Sequence, residues 1–132
     1  MSAVAKGSFT VKMSPQSEPD ASDGVSRGRM SLEKLFEGDL AATSQGEMLT
    51  ALTPVKGSAG YVAIERVTGT LSGRSGSFVF QHAGTMTRGA QQLAITVVPD
   101  SGTGALTGIS GVFKLNVVDG KHFYEFEYAF SP

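Results

Sequence analysis

The segment Asp119–Phe130, with the sequence DGKHFYEFEYAF, decides the fold of this chain. Asp-Gly is a typical two-residue hairpin turn, because a type I′ turn needs positive φ at both central positions. Counting outward from the turn sets Lys114 opposite Glu125, which is a favourable cross-strand pair of charges. Successive side chains of a strand point to opposite sides, so we expect this hairpin to have one apolar and one polar face.

The apolar face of the hairpin also carries groups that need hydrogen bonds. Its members are Phe113, Leu115, Val117, His122, Tyr124, Phe126, Tyr128 and Phe130. Buried polar groups are nearly always hydrogen-bonded, so an imidazole and phenol hydroxyls on an apolar row need partners inside the fold. We therefore predict that this face lines the interior of a barrel that is dotted with polar groups.

Short β-branched and aromatic runs, separated by glycine-containing turns, recur along the whole chain. Eight such runs lie at about residues 7–14, 28–38, 44–53, 58–70, 74–86, 90–98, 109–118 and 121–130. This regular spacing is typical of antiparallel sandwiches and barrels, and 132 residues fit one domain. We predict a single all-β domain over 1–132, built as an eight-stranded antiparallel up-and-down barrel.

Two segments allow more than one interpretation. Ser14–Gly28 is rich in Ser, Pro, Asp and Gly, so we predict a mobile loop there rather than a domain boundary. Leu32, Leu35 and Phe36, behind a capping Ser31, also fit one helical stripe. We prefer a strand at this position.

A second hairpin turn, Leu71–Arg74, brings acid-base residues together. Counting from it sets Glu65 opposite Phe80 and places Tyr61 and His82 on the same face as Glu65. In an up-and-down order, Tyr61, His82 and His122 all lie toward one end of the barrel. That end is the predicted mouth.

We predict a ligand site inside the barrel. The candidate ligand-binding residues are Tyr61, Glu65, Phe78, Phe80, His82, His122, Tyr124 and Phe126. Glu65 and His82 are the catalytic candidates, because a desolvated carboxyl has a raised pKa and exchanges protons with an imidazole. The plainer alternative is that Glu65 only satisfies buried donors. A metal site of Glu65 and both histidines lacks local ligand spacing, so we predict no metal and no other cofactor.

The opposite side of the central strands is apolar as well. Val62, Ile64, Val79 and Val98 are expected to point outward, together with Ala83 and Ala94. Contiguous exposed apolar patches usually mark interfaces. We therefore predict a homo-oligomer that covers this outer face, with a long loop as the alternative cover.

Composition excludes several kinds of partner. The net charge of −1 and the pI near 6.1 provide no basic surface for nucleic acid. The chain contains no cysteine, and the N-terminal MSAVAKGSFTVK has no apolar run suited to a signal peptide or a membrane span. We expect a cytoplasmic protein without a nucleic-acid or membrane partner.

Four segments in order carry a resemblance to a known family. They are GSAGYVAIERVTGTL (57–71), GRSGSFVFQHAGT (73–85), VVPDSGTGALTGISG (97–111) and DGKHFYEFEY (119–128). Over about Phe36 to Phe130 the chain resembles a bacterial family of unknown function placed among the allene oxide cyclase-like β-barrels. The resemblance implies an eight-stranded antiparallel barrel, but fold analogy assigns no activity.

Three functions fit these observations. The preferred one is a barrel that binds a small apolar molecule in its lumen. The second is an isomerase or cyclase in which Glu65 or His82 moves a proton in the same lumen. The third is a structural homo-oligomer whose barrel is filled by its own side chains. A measured cavity volume separates the third from the other two.

Overall fold

A computed structural model describes residues 2–131 as eight antiparallel strands that close into one barrel. The strands are β1 (Ser2–Pro15), β2 (Ser26–Gly38), β3 (Leu40–Leu52), β4 (Ala59–Leu71), β5 (Arg74–Thr87), β6 (Ala90–Val97), β7 (Ile109–Val118) and β8 (Lys121–Phe130). Each strand pairs with the next one in the chain, and β8 returns to β1. The all-β up-and-down barrel predicted from the sequence is confirmed.

The hairpin turns set the predicted registers. Asp119 and Gly120 have φ values of 51° and 78°, as a type I′ turn requires. Lys114 lies opposite Glu125 in the backbone ladder. Its ammonium group, however, lies 3.4 Å from the carboxylate of Glu127, a diagonal neighbour, so the predicted side-chain pairing is wrong although the register is right.

The segment between β1 and β2 is a shorter loop than predicted. β1 continues to Pro15 and β2 begins at Ser26, with a short 3-10 turn at Ser22–Gly24 between them. Asp20 and Arg27 exchange two backbone hydrogen bonds of 2.7 and 2.8 Å and form an ion pair. Backbone pairing therefore extends into both ends of the predicted 14–28 loop, whose mobility stays a prediction.

β2 is a strand over the residues that also fitted a helix. Leu32 and Phe36 are buried, whereas Leu35 between them is exposed. A helical stripe would bury all three on one side, and only a period of two exposes the middle one. The preferred strand interpretation is confirmed.

Aromatic rings fill most of the barrel interior. Phe9, Phe36, Phe78, Phe80, Phe113 and Phe126 contact one another with ring centroids 5.0 to 6.0 Å apart. Such ring pairs contribute about 0.5–1.5 kcal/mol each beyond the burial of their area. Leu106, in a second 3-10 turn at Gly104–Leu106, is buried in the same core. We call the end of the barrel near this turn the lower end, and the end with the β3–β4, β5–β6 and β7–β8 turns the upper end.

The barrel closes weakly between β6 and β7. Within residues 2–131, Thr96 and Val112 form the single bridge recorded between these strands. Below the bridge, the segment after β6 takes over the pairing with β5, where the amides of Val98 and Thr103 donate to the carbonyls of Val79 and Ser77 at 2.8 Å. Above it, no ladder pair joins β6 and β7 within residues 2–131. We call this line the β6–β7 seam.

Candidate functional site

A buried polar network surrounds Glu65 in the barrel interior. Glu65 is fully buried, and one carboxylate oxygen lies 2.7 Å from Nε2 of His82 and 3.1 Å from Nζ of Lys34. The other carboxylate oxygen accepts a 2.5 Å hydrogen bond from the Ser44 hydroxyl. Nδ1 of His82 lies 3.3 Å from the Tyr61 hydroxyl. The predicted inward direction of Glu65 and His82 is confirmed, and we call these five residues the Glu65 network.

The partners of Glu65 determine its charge. Burial alone would raise the pKa of this carboxyl, but the His82 hydrogen bond, the Lys34 ammonium and the Ser44 hydroxyl together hold the pKa below its usual value. The expected raised pKa is therefore wrong, because the prediction overlooked a buried cation. Glu65 is ionised at neutral pH and sits beside a positive charge.

The ionised carboxylate orients the imidazole. We assign the His82 tautomer that carries its proton on Nε2, which donates to Glu65. The lone pair of Nδ1 then accepts a hydrogen bond from the Tyr61 hydroxyl. Burial, with the nearby negative charge of Glu65, raises the pKa of Tyr61, so this hydroxyl stays protonated. Glu65, His82 and Tyr61 thus form a directed chain of hydrogen bonds.

Sequence reasoning missed Lys34 and Ser44. Lys34 follows Leu32 and precedes Phe36 on the inner row of β2, and Ser44 lies opposite it on β3. The Lys34 ammonium also lies 5.1 Å from the ring centroid of Phe9, a cation–π distance. The sequence did contain a signal for Lys34, because this lysine occupies an inward position in an alternating row of apolar residues.

Two glycines make room for the network. Gly46 lies opposite Glu65, and a Cβ there would come within 2.2 Å of the Ile64 carbonyl oxygen. Gly84 lies beneath the ring of Tyr61, where a Cβ would sit 2.5 Å from a ring carbon. Both distances are shorter than van der Waals contact, so any larger residue would displace a strand or the tyrosine ring.

An apolar chamber of about 370 Å³ lies at the upper end of the barrel. Its inward-facing lining comprises Met48, Thr50, Leu52, Tyr61, Met86, Gln91, Leu93, Leu115 and Val117. The described lining contains no charged side chain. Tyr61 belongs both to this lining and to the Glu65 network, so its hydroxyl connects the chamber with the buried ion pair.

Larger hollows lie on the outer wall and differ in chemistry. One of about 710 Å³ is bordered by Lys6, Lys114 and Glu125, which are exposed to solvent. Charged, hydrated borders do not exclude water, whereas small-molecule sites are mostly apolar. The upper chamber is therefore a better candidate site than this charged hollow.

The other predicted ligand residues lie away from the chamber. Phe78, Phe80 and Phe126 are buried in the ring core. The Tyr124 hydroxyl accepts from the Leu40 amide and donates to the Glu37 carbonyl, both at 2.9 Å. Tyr124 therefore ties β8 to the β2–β3 turn. Of the predicted residues, Tyr61 lines the chamber and Glu65 and His82 lie behind it.

His122 contacts Phe9 and does not take part in the hydrogen bond between His82 and Glu65. Its ring packs on Phe9 with a centroid distance of 5.0 Å. Among residues 2–131, no group of three or more His, Cys, Asp or Glu side chains is arranged to hold a metal ion. In the same part of the chain, no helix is long and apolar enough to cross a membrane.

The predicted outer face is divided in the structure. Val62 and Ile64 are 52% and 54% exposed, and Leu49, opposite Val62 on β3, extends this exposed patch. Val79 and Val98 are half-buried, at the place where the segment after β6 runs along β5. The exposed apolar patch therefore centres on β3 and β4.

The family assignment follows from comparison with known proteins. A family model described as "Protein of unknown function (DUF3224)" matches residues 5–128. The chain belongs to the DUF3224 family. A crystal structure of a DUF3224 protein of unknown function from Shewanella oneidensis MR-1 is 51% identical, covers 100% of both chains and superposes with a TM-score of 0.95. None of the curated proteins compared with the chain matches it. The bacterial family of unknown function expected from the sequence is thus confirmed, while the allene oxide cyclase-like placement stays a resemblance.

Proposed function

We propose that this DUF3224 protein binds a small, neutral, apolar molecule that carries one hydrogen-bond acceptor, such as a ketone. The observation that carries the proposal is the uncharged chamber of about 370 Å³ beside the Tyr61 hydroxyl. Ligand sites have volumes of about 300–1,000 Å³ and combine apolar walls with a few placed polar groups. A cytoplasmic site of action, expected from the composition, is part of the same proposal.

The chemistry of the lining selects the ligand class. Transfer of a charged ligand from water into the chamber would be strongly unfavourable, because no lining residue provides a counter-charge. The protonated Tyr61 hydroxyl is a donor, and its 3.3 Å bond to His82 is longer than a strong hydrogen bond of this type. A ligand carbonyl can therefore compete for this donor while the apolar body fills the chamber.

Binding of prodan, a neutral naphthyl ketone whose emission shifts to the blue in apolar surroundings, tests this proposal. We expect saturable binding to the wild-type protein. Tyr61→Phe should weaken binding about two- to tenfold, as expected for a hydrogen bond of roughly 0.5–1.5 kcal/mol. Tyr128→Phe, a half-buried tyrosine that does not line the chamber, is the matched control. Absence of saturable binding, or equal effects of the two variants, would contradict the proposal.

A second candidate function is proton transfer to and from the bound ketone, as in an isomerase. The chain Glu65–His82–Tyr61 supports it, because a carboxylate that orients an imidazole next to a protonated hydroxyl is an acid-base arrangement. In this reaction the Tyr61 hydroxyl points to His82 instead of to the ligand carbonyl. The α-carbon loses its proton to the Tyr61 oxygen while the Tyr61 proton moves to Nδ1 of His82, and the electron pair of the broken C–H bond forms the enolate. The reverse transfers return a proton to carbon and restore the ketone, Tyr61 and His82.

Exchange of α-hydrogens for deuterium, followed by NMR of prodan in D2O, tests the enzyme alternative. An enzyme should accelerate exchange, and His82→Gln should abolish the acceleration while prodan still binds. If prodan binds but its α-hydrogens exchange at the uncatalysed rate, the enzyme alternative is wrong and the binding function remains.

A further inference from the structure

We propose that the β6–β7 seam is the entrance of the chamber and that the bound molecule is elongated. Its acceptor group lies at Tyr61, and its unbranched apolar chain leaves the barrel between β6 and β7. This inference rests on the proposed binding function and specifies the ligand class further, as a long-chain neutral carbonyl compound.

The backbones of β6 and β7 share no ladder pair above their single bridge within residues 2–131. Upper β6 pairs with β5 up to Ala90, and upper β7 pairs with β8 up to Val118, so each strand is hydrogen-bonded on its far side. Beyond Thr96 and Val112, no further bridge between the two strands is recorded in residues 2–131. A closed barrel normally pairs every strand edge. Two facing unpaired edges therefore mark the place where the wall can admit a chain.

Two upper turns, β3–β4 and β5–β6, are tied together by hydrogen bonds. The amide of Gly89 donates to the carbonyl of Gly57 at 3.0 Å, and the amide of Arg88 donates to the Ser58 hydroxyl at 3.0 Å. These bonds join the β3–β4 and β5–β6 turns. Separating them would break both bonds, whereas widening the seam above its bridge breaks no ladder pair.

Apolar side chains border the seam where it meets the chamber. Leu93 of β6 and Val117 of β7 are 44% and 52% exposed, and half-buried Leu115 lies beside them in the chamber lining. Exposed apolar groups at the mouth of an apolar cavity are typical of a binding surface. A hydrocarbon chain in the seam would cover these side chains, and each buried methylene should raise affinity roughly fourfold.

Comparison of prodan with laurdan, its dodecanoyl homologue, separates binding in the seam from binding in the chamber. Both compounds carry the same naphthyl ketone, and laurdan has the longer acyl chain. We expect laurdan to bind the wild-type protein at least tenfold more tightly than prodan. The natural chain has no cysteine, so a double variant Ala94→Cys/Lys114→Cys introduces its only thiols. These exposed positions lie two residues beyond the bridge on each strand, and a disulfide between them staples the seam.

The oxidised staple should remove the laurdan advantage and slow prodan association at least tenfold, and reduction should restore both. Val62→Cys/Ala83→Cys, a pair across the continuous β4–β5 ladder, is the matched disulfide control and should change neither. Leu93→Trp fills the seam without any disulfide and should also remove the laurdan advantage. Leu49→Trp, on the exposed outer face, is its control.

Two failures are distinguishable. If neither ketone binds the wild-type protein, the proposed function and the side entrance are both wrong. If prodan binds but laurdan shows no advantage, or if both the oxidised staple and Leu93→Trp leave that advantage intact, the seam is not the entrance and the chamber remains.

Discussion

Replacement of Lys34 by Met tests whether a buried cation keeps Glu65 ionised. The Lys34 side chain is only 8% exposed and Glu65 is fully buried, with 3.1 Å between the ammonium nitrogen and the carboxylate oxygen. Charges about 3 Å apart interact by roughly 5 kcal/mol at an effective dielectric constant near 20. Removing one partner leaves an uncompensated buried charge, so Lys34→Met should lower the free energy of unfolding by about 3–5 kcal/mol at neutral pH.

The pH dependence of this loss has a definite sign. The pKa of Glu65 is held below 4.5 in the folded wild-type protein, so its contribution to stability is present above 4.5 and is lost as pH falls through the folded pKa. Without Lys34, one of the causes that lower the pKa of Glu65 is lost, so this pKa is higher in the variant than in the wild type. The stability gap between wild type and variant should therefore be largest at neutral pH and should close under acid conditions.

Urea unfolding over about pH 3 to 8 measures both effects. Lys114→Met is the matched control, because Lys114 is 62% exposed and pairs with the exposed Glu127 at 3.4 Å. An exposed pair contributes about 0–1 kcal/mol. The double variant Lys34→Met/Glu65→Gln removes both charges and should recover most of the lost stability. A Lys34→Met effect as small as the control, or one that does not change with pH, would refute the reasoning.

Three further substitutions probe other parts of the structure. Gly84→Ala should push the Tyr61 ring off His82 and weaken prodan binding, whereas Gly60→Ala, where the nearest atom to an added Cβ is 3.7 Å away, should be tolerated. Tyr124→Phe leaves the Leu40 amide without its acceptor and should lower the unfolding free energy by about 1–3 kcal/mol while prodan affinity is unchanged. If a second copy covers the outer face, Ile64→Glu should convert an oligomer to a monomer in sedimentation velocity, and a monomeric wild-type protein would contradict that prediction.

The sequence predicted the pairing of the hairpins and three of the five residues of the Glu65 network, namely Glu65, His82 and Tyr61. Type I′ turns with Asp-Gly and Ser-Gly at their centres set the registers around Glu65, Phe80 and His82, and the structure has the same pairs. Lys34 and Ser44 reach Glu65 through β2, β3 and β4. The β2–β3 turn at Gly38–Asp39 lacks such a two-residue signal, so counting along the chain did not align Lys34 with Ser44.

Strand number, hairpin register and the inward direction of Glu65 and His82 followed from the sequence alone, because a two-residue turn and a side-chain period of two act over a few neighbouring residues. The tertiary structure alone decided that aromatic rings fill most of the lumen, that a chamber remains beside Tyr61, and that within residues 2–131 no bridge joins β6 and β7 above Thr96. The space left inside a barrel depends on all inward side chains and on how the strands are staggered around it. A local sequence pattern does not contain this information, because it describes only a few neighbouring residues.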